Sequence, residues 1–208
     1  MEKLKEKLIS GLNTLHLKGL ITGIEGNISV RIAGFDQMWI TPSGPYKPWI
    51  KEEDLIRMKF DGEVVEGRHK PSIEWKMHAE IYKRRNDVNA IVHAHNPFTL
   101  GLTLAGVNLE PITAEAALII DKLGKVAFAY PGSEELAKKV GEEFEKDKNA
   151  VILENHGVVC SGTTLEEALS IAEVLEEVAI ALFVSKMLGN LKKLSDQEVK
   201  EVIRMFHR

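Results

Sequence analysis

Cysteine is nearly missing from the 208 residues. Cys160 stands alone, so no intrachain disulfide can form and a stapled secreted fold is excluded, which fits a reducing compartment. A long apolar run is missing too. The longest, Val178 to Val184, falls far short of the roughly 20 residues that span a bilayer. Between Met1 and Leu20 there is no apolar block followed by a small-residue cleavage site, so a cytoplasmic protein with no membrane partner is expected. The chain also lacks a basic stretch. Its net charge of −4 is spread as mixed signs, which argues against nucleic acid as a partner. Linkers, internal repeats and low-complexity segments are absent as well.

What is there suits one domain over 1–208: 44% of the residues are hydrophobic, enough for one sizeable core. Leu4, Leu8, Leu12 and Leu15 recur at helical spacing and predict an opening helix that ends near Gly19. Asn27 to Ile32 and Gln37 to Thr41 read as a hairpin, and Leu55 to Phe60 with Glu63 to Val65 as a second one turning on Asp61-Gly62. Helices are predicted over Ser72 to Arg85 and Asn96 to Leu104, and from Ser133, with strands at Asn89 to His93, Ala150 to Leu153 and up to Cys160. Thr164 with Glu167 opens a long helix to about Leu188, and Ser195 with Glu198 opens the last. Hairpins mixed with helices predict a layered α/β domain with a largely antiparallel sheet.

The stretch Ile91-Val92-His93-Ala94-His95 carries the strongest chemical signal. Residues two apart on a strand share a face, so both imidazoles can meet one ion. A third imidazole, His156, sits in a Gly turn after an apolar strand. Three histidines with an open fourth position suit catalytic zinc. On these residues alone a second reading stands level: an incidental His-x-His and a satisfied loop histidine. Pro71-Ser72-Ile73-Glu74 marks a helix start with Ser72 as the N-cap, where free N–H groups suit a phosphate. Glu74 in a first turn reads first as a complement to the helix dipole, and His78, one turn on, as structural. Gly26-Asn27 and Thr41-Pro42-Ser43-Gly44 are turn chemistry that can also approach an anion. His16, His69 and His207 receive no role. Trp39, Trp49 and Trp75 read as core or interface residues.

In order along the chain, Gly26-Asn27-Ile28-Ser29-Val30-Arg31, Ile40-Thr41-Pro42-Ser43-Gly44, Pro71-Ser72-Ile73-Glu74-Trp75, His93-Ala94-His95 and Asn155-His156-Gly157 resemble the class II aldolase family. The resemblance runs from about Leu4 to Leu188. It implies a three-layer α/β/α fold around a largely antiparallel mixed sheet, and a homotetramer with sites at subunit boundaries. It makes His93, His95 and His156 the ligands of one Zn(2+) per subunit and Glu74 the acid/base residue. Asn27, Ser43, Gly44 and Ser72 match positions that bind the phosphate of a small sugar phosphate. Two departures stand out: Ile73 replaces a serine that contacts phosphate, and Glu115 aligns, across a one-residue gap, with a tyrosine proton donor.

The expected reaction is reversible cleavage of a ketose 1-phosphate to dihydroxyacetone phosphate and an aldehyde through an enediolate, with Glu74 raised in pKa by desolvation. Glu115 is then a second acid/base group, or else a helix-start residue facing solvent. The chemical alternatives are a dehydratase of the methylthioribulose-1-phosphate type, towards which Glu115 leans, and a sugar-phosphate 4-epimerase. A non-catalytic adducin-like scaffold is disfavoured by the intact ligand set.

Overall fold

The structure, a computed structural model, describes residues 2–206. Helix α1 (Glu2–Leu17) buries Leu8, Leu12 and Leu15 on one stripe, and the chain leaves it through Gly19 at φ +71°. Strands β1 (Asn27–Arg31) and β2 (Gln37–Ile40) form the first hairpin, and two short 3-10 turns, Lys47–Trp49 and Glu52–Asp54, lead on to the second. There β3 (Ile56–Lys59) and β4 (Val64–Glu66) pair antiparallel. Lys59 N–H donates to Glu63 O at 2.8 Å, so the loop is Phe60 to Gly62, with Gly62 at φ +102°. That is a three-residue turn rather than the two-residue turn expected, and the glycine at its third position takes the left-handed conformation.

The chain continues through α2 (Trp75–Arg84), β5 (Ala90–Ala94), α3 (Pro97–Leu104), α4 (Ala114–Ile120), β6 (Leu123–Val126), α5 (Glu134–Phe144), β7 (Ala150–Leu153), β8 (Gly157–Gly162), α6 (Leu165–Leu188) and α7 (Asp196–Phe206). The strands form one sheet in the order β4-β3-β2-β1-β5-β8-β7-β6, antiparallel except for the β6/β7 pair. Strand β6 has no counterpart among the expected strands: Leu-Gly-Lys-Val is an edge segment whose glycine and lysine disfavour a strand, and pairing with β7 holds it. Side chains cap α6 and α5, Thr164 accepting from Glu167 N–H and Ser133 from Leu136 N–H. No described helix is long and apolar enough to cross a membrane.

Two apolar cores lie on opposite faces of the sheet, which makes the molecule a three-layer α/β/α sandwich. Leu8, Leu12 and Leu15 of α1, Leu102 of α3 and Leu175, Ala179 and Leu182 of α6 cover Ile28, Val30, Val92 and Ala94. On the other side Met77, Ile81 and Tyr82 of α2 and Val140 and Phe144 of α5 cover Ile91, Val151 and Val159. Trp39 and Cys160 are buried, Trp75 packs against the second core, and Trp49 is exposed. His207 lies outside the described residues.

Candidate active site

Strand pleating puts His93 on the face of Ile91, and the β1/β5 register sets Asn27 opposite it. His93 is fully buried, and its Nδ1–H donates to Val158 O of β8 at 2.9 Å. That bond fixes the tautomer and leaves the Nε2 lone pair facing the cleft. His95 follows the strand, held by its backbone N–H to Leu20 O at 2.8 Å. His156 projects from the β7/β8 turn, where Asn155 adopts φ +59°, a conformation asparagine tolerates better than most residues. Gly157 is required there, because a Cβ would stand 2.4 Å from Ala94 O.

The three rings thus converge from two adjacent strands, with centroids 4.8 to 5.2 Å apart. One nitrogen from each ring lies within 4.8 Å of the other two. His93 Nε2 and His95 Nε2 are 3.1 Å apart, close to the edge of about 3.3 Å expected of a tetrahedron with metal–nitrogen bonds near 2.0 Å.

Glu74 completes the cluster. Its Oε2 accepts from Asn27 Nδ2 at 3.2 Å and lies 2.9 Å from His93 Nε2, while Oε1 lies 3.3 Å from His156 Nε2 without a hydrogen bond. With the Nδ1 proton of His93 committed to Val158, its Nε2 lone pair faces the Glu74 carboxylate at 2.9 Å. A proton or a cation reconciles that contact, and the donor set of three imidazoles suits a borderline metal such as zinc.

Titration behaviour agrees. Burial, reinforced by charge on His93, pushes His95 down to about 3 and His156 down to about 4, so both are neutral at pH 7, the form that could hold a metal. Burial opposes the charged form of His93, but the Glu74 carboxylate and the Val158 carbonyl outweigh it and raise its pKa. Burial likewise works to raise Glu74, yet His93, His156 and Asn27 hold it well below the usual carboxylate range. The raised Glu74 expected from desolvation is therefore not what the fold produces, because the neighbouring imidazoles override burial. Glu74 is thereby kept in its ionised form.

The helix start is also corrected. Helix α2 begins at Trp75, with Glu74 rather than Ser72 in the N-cap place and no side-chain capping bond. Ser72 instead closes the turn before it, its O accepting from Trp75 N–H at 3.1 Å. Glu74 is drawn into the cleft by Asn27 and His93 and does not serve the helix dipole. His78 is buried, with Nδ1 2.7 Å from Ser29 Oγ, which in turn lies 2.9 Å from Tyr82 OH. No Glu74–His78 hydrogen bond forms, so His78 is structural.

A cleft of about 250 Å³ opens over this cluster, bringing Asn27, Ser43, Gly44 and Ser72 together with Glu74, His95 and His156. The residues singled out for phosphate thus share one cavity with His95 and His156, two of the three singled out for metal. Ile73 is 61% exposed at its rim and offers no side-chain donor. Glu25 and Lys47 line the cleft as well and carried no motif. Glu115 does not join them. It sits exposed on α4 beside a hollow lined by Thr113, Val174, Glu177, Val178 and Ala181.

Comparison with known proteins decides the family. Residues 6–182 match the family model described as "Class II Aldolase and Adducin N-terminal domain". The chain belongs to this family. Among the relatives of this class II aldolase domain, an L-fuculose phosphate aldolase of Methanocaldococcus jannaschii is 37% identical over 84% of this chain and 93% of its own length. A 5-deoxy-D-ribulose 1-phosphate aldolase of Bacillus thuringiensis is 30% identical over 99% of this chain and 96% of its own. A solved L-fuculose 1-phosphate aldolase superposes with a TM-score of 0.89 at 32% identity, covering 100% of this chain and 98% of that one. These relatives are carbon–carbon lyases by name, and they match the class II aldolase domain along nearly its full length.

Proposed function

We propose that the protein is a zinc-dependent class II aldolase that cleaves a small ketose 1-phosphate to dihydroxyacetone phosphate and an aldehyde. The observation that carries this is one cleft joining His95, His156 and Glu74, the last in contact with the buried His93, to Asn27, Ser43, Gly44 and Ser72. In this reading the three histidines hold one Zn(2+) per subunit, which when bound acts as a Lewis acid on the substrate's carbonyl and hydroxyl oxygens. Asn27, Ser43, Gly44 and Ser72 seat the phosphate. Glu74, ionised and 2.9 Å from His93 Nε2, takes the proton from the substrate hydroxyl or carbon and returns it. Asn27 holds the carboxylate in that position through the 3.2 Å bond.

The working enzyme is proposed to be a cytoplasmic homotetramer with its sites completed at subunit boundaries. Glu115, exposed on α4, is then the acid/base group that a neighbouring subunit contributes. Incubation with a panel of ketose 1-phosphates tests the reaction: dihydroxyacetone phosphate as product is the expected outcome, and a diketone product would replace the aldolase by a dehydratase. Glu115→Gln is expected to lower turnover with metal content intact; turnover within about twofold of wild type leaves Glu115 a helix-start residue.

A further inference from the structure

Among the described residues Lys47 is the only lysine or arginine buried to 3% exposure. It opens the first 3-10 turn, and its backbone N–H donates to Gly23 O at 2.7 Å. Its Nζ donates to Pro42 O at 2.8 Å, inside the Thr41–Gly44 loop. No ion pair with a described carboxylate offsets its charge. Burial alone acts on the ammonium and pushes it down to about 8, which still leaves it charged at pH 7. An ammonium carries three donors, of which the Pro42 carbonyl takes one. Burying a cation without an anion is costly unless a ligand supplies the charge. Lys47 lines the same cleft as Asn27, Ser43, Gly44 and Ser72, all of them neutral donors.

We infer that Lys47 is the counter-charge of the anion end of this cleft, a binding residue that makes the site prefer a phosphorylated ketose to the free sugar. The inference rests on the aldolase reading for its substrate. Neutral donors accept any polar group; a desolvated ammonium discriminates by charge.

The test compares wild type, Lys47→Met and Lys47→Arg, all metal-loaded. Methionine replaces the buried stem with an uncharged chain of similar length. It is expected to raise KM for the ketose 1-phosphate by about 10- to 100-fold with metal content unchanged and a much smaller change in kcat, and to erase the preference over the unphosphorylated ketose. Arginine is expected to restore part of the KM. A lysine that only ties down the Pro42 loop gives instead equal losses for phosphorylated and free sugar.

Should Lys47→Met fail to fold, titration of 15N-lysine wild-type protein with inorganic phosphate gives the answer. The Nζ resonance missing from the Lys47→Arg spectrum is expected to shift on titration. Phosphate perturbing that resonance in a protein that cleaves no ketose phosphate sinks the aldolase reading and leaves the anion site. An unperturbed resonance, or an unchanged KM in a folded variant of an active aldolase, overturns the role of Lys47 alone.

Discussion

The two faces of the central strands β1 and β5 are built from different chemistry. Towards α1 and α6 they present Ile28, Val30, Ala90, Val92 and Ala94, all in one apolar core. Towards α2 the same strands present, beside the apolar Ile91, four polar residues: Asn27, Ser29 and Arg31 on β1 and His93 on β5. Each of these is engaged: Asn27 with Glu74, Ser29 with His78 and Tyr82, Arg31 with the Val88 and Arg85 carbonyls, His93 with Val158. Burial on the first face is non-directional and tolerates exchange of shape within a volume. On the second face each group has a direction and a partner, so a change there disturbs geometry before it disturbs stability. One face stores the stability that lets the other hold charge out of water.

Substitution separates the two. The largest effect belongs to the polar side: His156→Ala is expected to drop bound metal from about one ion per chain and to cut aldol cleavage by about a thousandfold or more, read by metal analysis beside turnover. Full occupancy in that variant removes His156 from the ligand set. Next, Glu74→Gln keeps the metal but is expected to slow solvent hydrogen exchange into dihydroxyacetone phosphate by about 100- to 10,000-fold; wild-type exchange assigns the proton transfer to another group.

On the apolar side, Leu175→Ala empties a fully buried position. It is expected to cost about 2–5 kcal/mol in denaturant unfolding and to leave metal content and kcat unchanged; a lost metal site would mean that the faces are not separable.

The smallest effect sharpens the contrast through pH. Burial pushes His78 from 6.5 down to about 3, so the unfolded chain binds its proton first. Its contribution to stability is complete above about pH 6.5 and is lost as pH falls towards 3, by at most about 1.4 kcal/mol per pH unit. Chelator-treated His78→Gln is expected to lose less stability than wild type between pH 7 and pH 5; parallel acid limbs would mean that His78 is hydrated in the folded state. His95 and His156, also depressed, titrate in both proteins and cancel in the difference.

Most of the fold was legible wherever period or punctuation was strong. Thr164 with Glu167 opens α6, which runs over Leu165–Leu188 as expected, and the Ala150–Leu153 strand stands as its apolar run predicts. Strand β6 was not legible, because an edge segment of Leu-Gly-Lys-Val owes its conformation to β7. The His-x-His spacing announced a shared face, but bringing His156 to it depended on the β5/β8 register, a non-local fact. The start of α2 was misplaced by two residues, with Glu74 put inside the first turn, since local capping rules do not see Asn27 and His93. Lys47 gave no signal because an isolated lysine in a polar loop reads as solvated, and only its 3% exposure distinguishes it.

The pairing of β5 with β8 also has a meaning for the unfolded chain. His93 and His95 lie far from His156 in sequence, yet meet across one strand interface. A cation gripped by all of them would tie a loop of about 60 residues, the topological work of a disulfide, with a chain-entropy effect of about 4 kcal/mol. In a chain whose only cysteine is buried and unpaired, the imidazole triad is, among the described residues, the place where such a cross-link can form, and chelation would then act on folding as reduction acts on a stapled protein.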